Sequence, residues 1–209
     1  TPPEPERSAA VLARAAAEDL EANLDLGRRD VDDWLARLRS LAGWRPELDL
    51  PVFDHEQITA MLPDLCHGRS SLSELRNLPI AGILSGFLSS EQTAALDREA
   101  PERIRVPSGS RIRLDYEPGR PPVLAVRLQE LFGLTETPTV AGGRIRVMLH
   151  LLAPNGRPQQ ITDDLGSFWA TTYREVRAEL RGRYPKHHWP ENPLEAEPTA
   201  RTRPRRKRK

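Results

Sequence analysis

RIRVPSGSRIRLDY, residues 103–116, divides the chain into two kinds of sequence. Two alternating runs flank a Ser-Gly turn, which is the pattern of a strand hairpin. In the second run Ile112, Leu114 and Tyr116 point one way and Arg111, Arg113 and Asp115 the other, because side chains alternate along a strand. The arginines then form either a basic stripe on the outer face or an ordinary solvated hairpin face, and the alternation serves both readings.

Upstream of this stretch the sequence is helical in character. The opening TPPEPE is rich in Pro and Glu and reads as part of a linker over residues 1–7. Ser8 to Leu24 interleaves Ala and Leu with Arg and Glu, a helix-forming composition that Gly27 stops. Asp30 is expected to cap the next helix, where Val31, Trp34, Leu35, Leu38 and Leu41 form one apolar stripe before Gly43. Asp54 is expected to cap a helix through Leu62. Ser71 with Glu74 matches a capping box, Pro79 to Leu88 reads as an apolar helix, and Ser90 caps another to Glu99. Residues 8–100 are therefore expected to form a helical bundle.

Downstream, a turn at EPGRPP leads to a short strand at Val123, and Ala125 to Phe132 reads as a helix ending at Gly133. A second hairpin is expected around Asn155-Gly156. A last helix runs from Asp163 to about Arg181, with Leu165, Phe168, Trp169, Thr172, Val176 and Leu180 on one face and Gly182 as its stop. The expected fold class is α+β: an N-terminal helical bundle, a small mixed sheet with packed helices over 101–193, and a disordered basic tail over 194–209.

The 209 residues carry a net charge of +1, which hides an asymmetry. From Arg181 onward ten Lys or Arg face three Glu, a net of +7 that leaves −6 on the preceding residues. Cationic charge concentrated in one segment is placed to meet phosphates. The single cysteine, Cys66, excludes an intrachain disulfide and reads as a small buried hydrophobe in a reducing compartment, so a cytoplasmic location is expected. No apolar run approaches the ~20 residues needed to span a bilayer. The chain starts at Thr1 and is expected to be a piece of a longer polypeptide.

No catalytic constellation is legible. Nothing matches the phosphate-cradling loop GxxxxGK[ST], and Gly142-Gly143-Arg144 reads as a turn. His187-His188 lack the partners a metal site needs, and His55, His67 and His150 are scattered. Ser108-Gly109-Ser110 lacks the strand–nucleophile–helix context of a nucleophile elbow. No catalytic, cofactor-binding or metal-binding residue is expected in this chain.

The segment GRYPKHHWPENP, Gly182 to Pro193, carries the most chemical content. Arg181, Arg183, Lys186 and His188 offer charge or donors, Tyr184 and Trp189 offer faces on which bases stack, and three prolines hold the segment extended. The competing reading is an anchoring strap whose aromatics pack back onto the body. Beyond it, Arg203, Arg205, Arg206, Lys207, Arg208 and Lys209 can supply phosphate contacts without sequence choice. RNA or another single-stranded nucleic acid is thus the candidate partner.

Five stretches in the same order, VPSGSRIRLDY, PPVLAVRLQELFG, LLAPNGRPQQITDDLGSFW, YREVRAELRGRYPKHHWPENP and PTARTR, resemble the C-terminal part of the bacterial HrpB-type ATP-dependent helicases of the DEAH-box group. The likeness is strongest from about Val106 to Arg203. It implies a parent that hydrolyses ATP with Mg²⁺ and unwinds or remodels RNA, with motor domains upstream of this chain as partners and no ATP-binding residue within it. The family-like signature is Gly182, Arg183, Tyr184, Pro185, Lys186, Trp189 and Pro190. The resemblance leaves open whether this region binds nucleic acid, braces the motor domains, or is a protein-interaction module with no RNA binding of its own.

Overall fold

The computed structural model describes residues 5–202. They form two compact units, one ending at Leu96 and one beginning at Asp97. The first is built from α1 (Pro5–Ala17), α2 (Leu20–Leu24), α3 (Arg29–Trp44), α4 (His55–Cys66), α5 (Leu72–Arg76), α6 (Ile80–Ser85) and most of α7 (Ser90–Glu99).

Local capping chemistry moves several expected boundaries. Helix already begins at Pro5, inside the expected linker. The single helix expected from Ser8 to Leu24 is two, because Asp19 leaves helical geometry and its carboxylate accepts the Ala22 N–H at 3.1 Å to start α2. The buried Asn23 amide ties the pieces together. It donates to the Ala15 and Ala16 carbonyls at 3.3 and 3.4 Å and accepts from Arg76 at 3.3 Å. Asp30 is not the cap of α3; it lies inside the helix and accepts from Arg28 Nε at 2.6 Å. Gly43 is also internal, since α3 runs to Trp44. Val31, Leu35, Leu38 and Leu41 are buried as their spacing requires.

Asp54 caps α4 as expected. Its carboxylate accepts the Gln57 N–H at 2.8 Å, Gln57 returns a bond to the Asp54 N–H at 3.3 Å, and the helix continues past Leu62 to Cys66. Ser71 accepts the Glu74 N–H at 3.4 Å, but the Glu74 carboxylate turns to the Ser70 N–H at 3.1 Å, so the box is displaced. The cap of α7 is Ser89 rather than Ser90, with Gln92 bonding back to it at 3.0 Å. The α6 helix occupies only Ile80–Ser85 of the expected Pro79–Leu88. Cys66 is fully buried, and burial pushes its thiol up from the ordinary range.

The second unit contains β1 (Arg103–Arg105), β2 (Arg111–Arg113), β3 (Val123–Arg127), β4 (Thr139–Val140), β5 (Ile145–Arg146), β6 (Met148–Leu152) and β7 (Pro158–Thr162). β1 and β2 form the expected hairpin. β3, β6 and β7 make a mixed sheet in that order, parallel between β3 and β6 and antiparallel between β6 and β7. The turn between β6 and β7 holds Asn155-Gly156, with Gly156 at φ +83°.

The helix expected over Ala125 to Phe132 is a correction. Val123–Arg127 is strand, followed by a 3-10 turn at Leu128–Glu130. Leu124 and Val126 are buried while Ala125 and Arg127 are exposed, a period of two that the β3–β6 pairing selects.

The last helix is continuous but irregular: α8 (Leu165–Ser167), a π-helical turn (Phe168–Thr172) and α9 (Tyr173–Arg183). Asp164 caps it by accepting the Ser167 N–H at 2.9 Å. In the π turn the Tyr173 N–H reaches back five residues to Phe168, which rotates the buried face onto Tyr173 instead of Thr172. Gly182 lies inside α9, and Tyr184 follows the helix end. Phe132, Leu124, Leu128, Leu131 and Leu149 form the fully buried centre of this unit. The tail expected to be disordered from 194 is not so over 194–202. Thr199 is buried there and donates its N–H to the Gln129 carbonyl at 3.0 Å.

Candidate nucleic-acid interface

The segment after α9 is a strap held by three consecutive carbonyls. Gln129 Nε2 donates to the His188 carbonyl at 2.9 Å, Arg177 Nε to that of Trp189 at 3.0 Å, and the Tyr173 hydroxyl to that of Pro190 at 2.8 Å. The donors come from the 3-10 turn after β3 and from two turns of α9, so the strap is fixed from separate elements. Further along, the Pro193 carbonyl accepts the Gly133 N–H at 3.0 Å, and the His188 N–H donates to the Thr202 carbonyl at 3.1 Å.

Its aromatic groups face inward. Trp189 is 7% exposed, and its indole N–H donates to the Tyr184 carbonyl at 2.9 Å. The His188 ring meets the edge of Phe132 with centroids 6.2 Å apart, and Phe132 also contacts Trp169 and Tyr173 at 6.2 Å each. Burial pushes the Tyr173 phenol well above its ordinary range. His187 packs between Tyr184 at 5.8 Å and Trp189 at 6.5 Å, and its Nδ1 is buried with no hydrogen-bond partner. Burial, with the Arg127 charge nearby, lowers its pKa from the ordinary 6.5.

The cations face outward. Arg181 and Arg183 are exposed on the last turn of α9, and Lys186 is exposed on the strap. Arg183 pairs with Glu179 at 3.0 Å across one helical turn, an exposed arrangement that leaves it open to exchange partners. Arg174, seven residues before Arg181, continues the same helical face and is exposed.

Of the residues expected to touch nucleic acid, Arg181, Arg183 and Lys186 are thus all exposed around the end of α9, with Tyr184 half-buried beside them; two residues apart on the helix, Arg181 and Arg183 point to different sides of it. Trp189 is buried, with 7% of its surface exposed. His188 is half-buried, its ring is against Phe132, and both of its backbone groups are engaged. Arg203, Arg205, Arg206, Lys207, Arg208 and Lys209 lie outside the described residues. Sequence reasoning missed Tyr173, Arg177 and Gln129, the donors that hold the strap. The aromatic spacing Phe168, Trp169, Tyr173 was the available signal for the first two. Among the described residues, no group of three or more His, Cys, Asp or Glu is arranged to hold a metal ion. None of the described helices is long and apolar enough to cross a membrane.

Residues 61–193 match the family described as ATP-dependent helicase C-terminal, HrpB_C. The chain belongs to this family. The strap just described lies within the matched residues. This HrpB-type region is 43% identical over 208 residues to the ATP-dependent RNA helicase HrpB of Escherichia coli K12, covering 92% of this chain and 26% of that protein. It thus spans about a quarter of the length of that relative. A crystal structure of the E. coli DExH-box NTPase HrpB superposes with a TM-score of 0.76 at 44% identity, over 82% of this chain and 22% of that one. A crystal structure of the E. coli DEAH/RHA helicase HrpB gives 0.74 at 38% identity, over 90% and 24%.

Proposed function

We propose that this C-terminal region is a non-catalytic accessory part of an ATP-dependent RNA helicase that contacts single-stranded RNA through the exposed cations around the end of α9. The parent polypeptide, acting in the cytoplasm, supplies the motor domains together with ATP and Mg²⁺. The residues of this chain do not fit those groups. Gly142 and Gly143, at φ +65° and +91°, form a turn into β5 with no following Lys and hydroxyl.

One observation carries the reading: the strap spends its aromatics and carbonyls on anchoring and leaves Arg181, Arg183 and Lys186 exposed on a fixed frame. Cations held by a rigid scaffold meet phosphates without first losing backbone freedom. Tyr184, half-buried beside them, is the remaining candidate for a base contact. The bracing reading is favoured by one feature of the first unit. Phe87 is 61% exposed at the edge of an aromatic group with Phe53 and Trp34, a surface suited to a protein partner.

Anisotropy of labelled U20 RNA, titrated with the 209-residue chain at several salt concentrations, tests the proposal. Arg181→Gln, Arg183→Gln and Lys186→Gln together should reduce the salt slope by about 2, at ~0.7 per phosphate contact on a single strand. A slope unchanged by these substitutions sinks the strap as the contact. Absence of any binding at low salt leaves bracing as the role.

A further inference from the structure

The β1–β2 ribbon carries an unusual charge pattern. Its register sets Arg103 opposite Arg113 and Arg105 opposite Arg111, with Ile104 opposite Ile112 between them. Directly opposed residues and residues two apart share a face, so all four arginines lie on one side and both isoleucines on the other. Arg103, Arg105 and Arg111 are exposed, while the isoleucine side is half-buried and continues into buried Val106 and Leu114. Like charges directly opposite one another destabilise a ribbon, and a face serving only solubility would interleave both signs. At one end of the ribbon Asp115 accepts from Arg113 at 3.3 Å.

The ribbon is also held firmly. At its turn, Ser108 donates its hydroxyl to the Glu130 carboxylate at 2.8 Å and its N–H to the Glu130 carbonyl at 3.2 Å. Below, the Tyr116 hydroxyl donates to the Pro101 carbonyl at 2.8 Å. The arginine face therefore keeps its direction without a ligand.

We infer that this face is a second phosphate-binding surface, separate from the strap, that takes the backbone of single-stranded nucleic acid; it rests on the reading that this chain contacts RNA. Within the ribbon strands the face holds arginines alone, with no aromatic side chain to stack a base, so its contribution is independent of sequence.

The test compares three versions of the 209-residue chain by anisotropy with labelled U20 and A20 across a salt series: the wild type; R103Q with R105Q and R111Q; and a control with R14Q, R29Q and R157Q, which removes equal charge from exposed positions elsewhere. Arg113 is left in place because it pairs with Asp115. The ribbon variant is expected to lose about 2 from the salt slope and on the order of 100-fold in affinity near 0.1 M salt, equally for both RNAs. Its melting temperature should stay close to that of the wild type, since relief of like-charge repulsion offsets the loss of the Arg103 bond to the Arg111 carbonyl at 3.1 Å. Wild-type binding with the ribbon variant matching the control overturns the ribbon inference and leaves the strap reading standing. No wild-type binding of either RNA at low salt overturns both. A loss confined to one RNA overturns the backbone-only contact.

Discussion

Trp189 donates its indole N–H to the carbonyl of Tyr184, five residues earlier, at 2.9 Å. The two aromatics that a basic, proline-rich segment offers to nucleotides by composition are thus linked within the strap, indole to backbone carbonyl. With His187 packed between their rings, they close the strap on itself, and Arg177 fixes the Trp189 carbonyl from α9. Packing has claimed the indole, while Arg183 and Lys186 remain exposed.

Trp189→Ala should lower the stability of the second unit by about 3–5 kcal/mol, as truncation of a buried large aromatic does. Trp189→Phe, which keeps most of the packing but loses the bond to Tyr184, should cost about 1 kcal/mol. Urea denaturation checks both. A Trp189→Ala protein with an unchanged midpoint and weakened RNA binding would restore the indole as a stacking group.

Tyr173→Phe removes the donor to the Pro190 carbonyl and should cost about 1 kcal/mol. Because burial holds the phenol far above its ordinary range, Tyr173 should remain protonated while exposed phenols ionise. Ultraviolet titration of wild type against Tyr173→Phe should therefore show no difference in ionisation up to about pH 11.

His187 makes the second unit acid-sensitive. Its folded pKa lies below 6.5, so the unfolded chain binds the proton more tightly. The stability contribution is complete above pH 6.5 and is lost as pH falls from there through the folded pKa. Between pH 7.5 and 5.5 the wild type should lose more stability than His187→Asn, in which that titration is absent. Parallel pH profiles of the two proteins would show that His187 is not held neutral by burial.

Asp54→Ala removes the side-chain half of the capping box that starts α4, the acceptor for the Gln57 N–H, and should cost about 1 kcal/mol. Asp54→Asn, which retains an acceptor for the Gln57 N–H, should recover most of it. Thermal melts of the two variants side by side measure the difference.

Much of the fold was legible because local chemistry decides it. The capping of α4 by Asp54, the stripe from Val31 to Leu41, the hairpin of alternating Arg and Ile, and the turn at Asn155-Gly156 each follow from residues close in sequence. The failures were places where a distant partner prevailed. Ala125 to Phe132 carries good helix formers, yet its first half pairs with β6, more than twenty residues away. The π turn moved the buried face from Thr172 to Tyr173, a one-residue shift that ideal helical periodicity does not contain.

For the candidate site the division is similar. That the end of the chain is cationic, and that Arg181, Arg183 and Lys186 cluster within six residues, is a property of the sequence alone. Which side of that segment meets solvent was decided only by the tertiary structure, because the choice depends on Tyr173 and Arg177 folding back from α9 and on Gln129 reaching in from nearly sixty residues away. Side-chain identity determines what a segment can bind. The donors waiting beneath it determine which of its groups face solvent.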